Sequence, residues 1–138
     1  WNDPVKGSEL TKAQISQGAD VVFAAAGGTG VGVLQTAADE GILSIGVDSN
    51  QNYLHSGKVL TSMLKRVDVA VYEAFKAGNN LETGNFTGAV GFAMDEHNAS
   101  LVTADMQAKV EAAEAAISSG SLSVHNYTDD ETCPAVSF

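Results

Sequence analysis

Two apolar runs, each bounded by glycine, constrain the fold more than any other feature of the chain. Residues 19–26 (ADVVFAAA) lie between Gly18 and Gly27, and residues 42–47 (ILSIGV) begin directly after Gly41. Short runs of this kind, rich in β-branched residues, predict strands buried on both faces. Between them stand the glycine cluster GGTGVG, residues 27–32, and VLQTAADE, which predicts a helix ending at Gly41. Residues 4–17 predict an earlier helix, with Pro4 suited to the first turn and Gly18 to the stop. Helix, strand, helix, strand in this order predicts an α/β chain with a parallel sheet and right-handed crossovers.

The remainder is weaker. Residues 49–58 are polar and read as a loop, residues 59–63 (VLTSM) as a short strand. Residues 65–77 carry Val67, Val71, Ala74 and Phe75 at helical spacing. Residues 78–84 form a turn-rich connector, residues 86–94 a strand, and residues 100–102 an extension of it. Thr103 is suited to cap a last helix over residues 104–119 that stops at Gly120. Residues 122–124 are expected to form a final short strand before a polar tail. Two strong strands and two or three weaker ones fall short of the roughly five or more of a doubly wound sheet. With little left to cover both faces, the chain is expected to be an incomplete unit.

Composition excludes several function classes. A chain of 138 residues is one ordinary domain, and 44% hydrophobic against 17% charged residues marks it as globular rather than disordered. No apolar run approaches the roughly 18–20 residues of a membrane span, so a soluble chain is expected. Acidic residues outnumber basic ones 17 to 7, a net charge of −10, which argues against nucleic acid as a partner. That acidity fits simple solubility and points to no ligand. Cys133 stands alone and forms neither an internal disulfide nor a cysteine-based zinc site within the chain. No signal peptide or lipidation motif is visible, and the chain starts at Trp1, so a mature or truncated product is expected.

Several residues are candidates for chemistry. Glycines after a buried strand let backbone approach a ligand and leave amides free at a helix start. The cluster at Gly27 and Gly28 lacks the third glycine spacing of a dinucleotide fingerprint and the Lys-Ser/Thr pair of a phosphate-binding loop. It serves either as a tight turn or as a backbone contact. Asp48 ends the second strand, on the edge where open α/β sheets bind ligands. Its carboxylate suits a vicinal diol, or a turn cap. Trp1, the single tryptophan, offers a flat stacking face or a core anchor. Lys65 is expected to open a helix, where the dipole disfavours a cation, so it either meets a specific partner (a ligand hydroxyl or Asp48) or lies exposed.

Catalytic arrangements find no such support. His55, His97 and His125 fall in separate loops without metal-ligand spacing, and Cys133 has no base beside it. Asp95, Glu96 and His97 suit a cation or a polar turn. Sequons at Asn85, Asn98 and Asn126 matter only in a eukaryotic secretory pathway. No cofactor and no metal is expected.

Four segments in register carry a resemblance: WNDPVKGSE (residues 1–9), GADVVFAAAGGTGVGV (18–33), IGVDSNQ (45–51) and VLTSMLKRVDVAVY (59–72). Together they resemble the basic membrane protein family, the nucleoside-binding lipoproteins of bacterial ABC transporters. The resemblance implies a type I periplasmic binding protein fold: two α/β lobes joined by three crossover strands and closing on a ligand. It places this chain in the carboxyl-terminal half. Residues 1–63 would form the core of the second lobe. Residues 64–138 would supply a crossover helix returning to the first lobe, the remaining strands, the last helix and the tail.

By the same resemblance, Trp1 matches an aromatic that stacks on a purine, and Gly27 or Gly28 a backbone contact. Asp48 and Lys65 match the pair that holds the ribose hydroxyls. The amino-terminal lobe, with its own aromatic and base-reading residues, lies outside these segments. The implied function is solute binding for an ABC importer, not catalysis. Adenosine, guanosine or inosine would be the ligand, a membrane permease the partner, and the periplasm or a lipid anchor the location. Cys133 would pair with a cysteine of the other half. Two alternatives stand beside this: a receptor for free nucleobases or another small solute, and a small α/β enzyme using the glycine turn and Asp48 on a sugar or phosphate substrate.

Overall fold

The first helix forms where its amino-terminal signals place it. Asp3 caps it, its carboxylate accepting from the Lys6 amide at 2.9 Å, and Pro4 opens α1 (Pro4–Ser16). Gly18, at φ +96°, turns the chain out. The computed structural model describes residues 1–80 and 89–132. These follow as β1 (Val21–Phe23), α2 (Gly30–Asp39), β2 (Leu43–Asp48), β3 (Val59–Lys65), α3 (Val67–Ala77), β4 (Val90–Phe92), α4 (Ala104–Ser118) and the short α5 (Tyr127–Asp130).

The chain divides into two compact units, Trp1–Thr103 and Ala104–Phe138. In the first, the strands lie in the order β1-β2-β3-β4. β2 is parallel to both β1 and β3, and β4 joins the far edge antiparallel, pairing Phe92 with Met63 and Val90 with Lys65. The expected α/β architecture with a largely parallel sheet is therefore present. The second unit holds α4, which ends near Gly120 at φ +75°, and α5.

Side-chain alternation separates two unequal faces of the sheet. Val22, Ala24 and Val59 are buried, and Leu34 of α2 packs on Ala24 and Val59 to make the core. Val21 and Phe23 point the other way, and Phe23 is 57% exposed. The first strand is thus buried on one face, not two, because α2 covers one side only. On α3 the helical spacing is right, yet Val67, Val71 and Phe75 stay exposed, Phe75 by 83%.

α1 and α2 meet through small residues rather than large apolar ones. A side chain at Gly32 would collide with the Pro4 carbonyl, and one at Gly7 with the Thr29 carbonyl. The Ser8 hydroxyl donates to the Gly32 carbonyl at 3.2 Å and accepts from Thr36 Oγ1 at 2.8 Å.

Three expectations need correction. Residues 122–124 form no strand, because among the described residues of their unit no other strand stands to pair with them. Residues 100–102 form a turn, with the Leu101 amide bonded to the Asn98 carbonyl at 2.9 Å. Lys65 ends β3 instead of opening a helix, since pairing of Leu64 and Lys65 with β4 extends the strand by two residues. Residues 81–88, part of the expected connector and strand, and Cys133 lie outside the described residues.

The helix crossing yields a direct test. Ala for Gly inside a free helix stabilises by about 1 kcal/mol. Gly32→Ala is expected to do the reverse, costing about 1–3 kcal/mol through overpacking against Pro4, read from the urea midpoint. An unchanged or raised midpoint would refute the close approach.

Candidate functional site

Parallel pairing brings three strand ends to one edge of the sheet, where open α/β folds bind their ligands. After β1 comes the turn Gly27–Thr29, at the end of β2 comes Asp48, and at the end of β3 comes Lys65. The Lys65 ammonium lies 3.0 Å from Asp48 Oδ1, with both side chains more than half exposed. A pair so open to water contributes about 0–1 kcal/mol to stability. Its placement therefore calls for an explanation other than holding the fold.

Asp48 is also the site of backbone strain. Its φ is +69°, in the region that favours glycine, and the Ser49 amide bonds back to the Val47 carbonyl at 2.9 Å. This is a γ-turn in its left-handed, disfavoured form. For a residue with a Cβ such backbone costs about 1–3 kcal/mol and persists only where surroundings enforce it.

Trp1 and the glycine turn meet. Gly27 takes φ +55°, and a Cβ there would sit 3.2 Å from the Trp1 carbonyl and 3.7 Å from the indole. A Cβ on Gly28 would overlap the Asn2 side-chain oxygen. Both glycines therefore make room for the first two residues of the chain. Asp3 secures them, its amide donating to Thr29 Oγ1 at 2.9 Å. Trp1 is 89% exposed, not a core anchor.

A polar network that sequence reasoning did not anticipate backs the Asp48 turn. Asp95 Oδ2 accepts from Asn50 Nδ2 at 2.6 Å and Asn52 Nδ2 at 3.1 Å, while Oδ1 accepts from the His97 amide at 2.8 Å. The buried Asn98 side chain accepts from the Asp95 amide and donates to the Leu60 and Ala93 carbonyls, each bond 2.9 Å. Ligand-type atoms of Asp95, Glu96 and His97 lie within 4.8 Å of one another, but both Asp95 oxygens are already engaged in this turn. Burial of Asn98 also closes that sequon to modification in the folded chain. The one visible signal was the DEH cluster itself. The amides that join it lie 43 to 45 residues away in a loop that looked merely polar.

With this geometry in hand, known proteins place the chain. The family model described as "ABC transporter substrate-binding protein PnrA-like" (Bmp) matches residues 1–125. The chain belongs to the Bmp family. Among similar proteins, the CD4+ T-cell-stimulating antigen of Listeria monocytogenes is 34% identical over 86% of this chain and 39% of its own length. Basic membrane protein D of Borreliella burgdorferi is 42% identical over 51% of this chain and 21% of its own length. In fold, the solute-binding protein of an Aeropyrum pernix ABC transporter system superposes with a TM-score of 0.74 at 24% identity, over 94% of this chain and 46% of that one. The chain thus spans less than half the length of these relatives. Among the described residues no helix is long and apolar enough to cross a membrane.

The Asn50 amide holds the Asp95 carboxyl below its ordinary range; partial desolvation opposes this, and the His97 amide, Asn52 and the His97 ring reinforce it. A carboxyl with a lower pKa folded than unfolded stabilises the fold above the unfolded value, about 3.9, and that stabilisation is lost as pH falls through the folded value. Thermal melts from about pH 5 downward should therefore show wild type losing stability more steeply than Asp95→Asn. Parallel acid profiles would remove the network from that role.

Proposed function

We propose that this chain forms one wall of a purine nucleoside site in an ABC importer receptor, with Asp48 and Lys65 on the ribose and Trp1 on the base. What carries the reading is the exposed Asp48–Lys65 pair on strained backbone at the ligand edge of the sheet. A carboxylate accepts from both hydroxyls of a vicinal diol, and an ammonium donates to the oxygens of the same hydroxyls. As an ion pair the two groups are already neutralised when ligand displaces their water. The open Trp1 ring beside Gly27 gives a purine a flat apolar surface. The Gly27 and Gly28 turn supplies backbone alongside.

A second lobe faces this wall in the reading, consistent with a chain that covers 46% of its solved relative. Such a receptor binds and releases its ligand unchanged, works outside the cytoplasm in the periplasm or on a lipid anchor, and docks on a membrane permease. Residues 1–63 act as the core of the carboxyl-terminal lobe. Residues 64–138 supply the crossover helix and the remaining elements.

Calorimetric titration of the intact receptor with adenosine, guanosine, inosine and adenine tests this. Asp48→Ala should weaken ribonucleoside binding about 10–100-fold, the loss of charge-assisted hydrogen bonds. Full affinity in that variant would remove Asp48 from the site. Adenine bound as tightly as adenosine would favour the free-nucleobase receptor, and chemical conversion of the nucleoside on chromatography would favour the enzyme.

A further inference from the structure

Asp48 does not hold its own turn. β1 ends at Phe23, opposite Ile45, so β2 continues past its neighbour for three more residues. Where the strand has run out, a side chain takes its place: Gln51 Oε1 accepts from the Val47 amide at 2.8 Å. Gln51 is in turn fixed from behind, its own amide donating to Ser62 Oγ at 3.0 Å. Ser62 Oγ donates to Asn52 Oδ1 at 2.8 Å, and Asn52 Nδ2 ends on Asp95. Gly46 is required for this arrangement, because a Cβ there would lie 2.8 Å from both Gln51 Oε1 and Ser62 Oγ. The chain is thus pinned before and after Asp48: at Val47 by Gln51, and two residues on at Asn50 by Asp95 through a 2.6 Å bond.

We propose that Gln51 and Asp95 are positioning residues for the ligand site, holding the Asp48 carboxylate in its left-handed turn without touching ligand. The inference rests on the reading above, in which Asp48 receives the ribose diol. A glutamine bonded to a strand amide and an aspartate bonded to two loop amides leave the turn no slack. Without them Asp48 relaxes towards negative φ, and its carboxylate leaves the position beside Lys65. The loss falls on the diol, not on the base.

The test uses the intact receptor and two readouts. Amide hydrogen exchange on the ligand-free protein should quicken at residues 47–49 in Gln51→Ala and Asp95→Asn, and Gln51→Glu, which keeps an acceptor for the Val47 amide, should restore protection. Titration with adenosine and with 2′,3′-dideoxyadenosine should then show both loosened variants binding adenosine about tenfold more weakly. Their affinity for the dideoxy compound should stay within about twofold of wild type. A general structural role would weaken both ligands alike, and that result overturns the proposal. Unchanged exchange at residues 47–49 overturns it independently of any ligand. Quickened exchange beside an Asp48→Ala variant of full affinity would instead overturn the diol reading, and the proposal falls with it.

Discussion

Because β2 runs parallel to a neighbour on each side, three strands deliver their carboxyl ends to the same edge of the sheet. Everything of chemical interest follows from that alignment. The glycine turn, Asp48 and Lys65 are far apart in sequence, and only parallel pairing with crossovers brings such residues together. The alignment in turn depends on α2 seating Leu34 over Ala24 and Val59. α1 closes on α2 at Gly7 and Gly32, and so brings Trp1 and Asn2 against the same turn. Small residues at a helix crossing and an aromatic ring at the site edge are two ends of one packing arrangement.

The site is supported by hydrogen bonds more than by hydrophobic burial. The sheet has a covered face and an open one, and the core is a small cluster beneath α2. Around Asp48 the structural burden passes to Gln51, Asn52, Ser62, Asp95 and Asn98. Each is bonded to a partner distant in the chain or to a main-chain group. Such networks are directional where apolar contacts are not, and they specify one geometry when every member is satisfied. An edge that binds ligand, as proposed for these strand ends, benefits from that property more than from added stability.

What the sequence disclosed follows this division. Apolar runs and glycine stops located α1, α2, β2, β3 and α4, because periodicity and backbone permissiveness are local properties. Asp48 was legible as the residue near the end of the second strand, and Lys65 was legible as a cation in want of a partner, which it has in Asp48. Its place on a strand was not, because the pairing of Val90 with Lys65 is a long-range choice. The same reason defeated residues 122–124: strand-forming side chains make no strand without a partner. Burial of Val21 and Phe23 depended on which helices cover the sheet, which composition does not encode. The network behind Asp48 left the least trace, since Gln51 and Asn52 in a polar loop look like any solvated residues until Ser62 and Asp95 are beside them.

The backbone at Asp48 has a consequence for how this chain responds to selection. Glycine would adopt φ +69° without steric cost, so exchanging Asp48 for glycine relieves the most strained non-glycine conformation near the site. A screen for heat resistance would enrich that exchange while discarding the carboxylate. If Asp48 receives the ligand as proposed, robustness and retention of recognition therefore pull in opposite directions at this codon, the conflict expected where a functional side chain is held against the backbone's own preference.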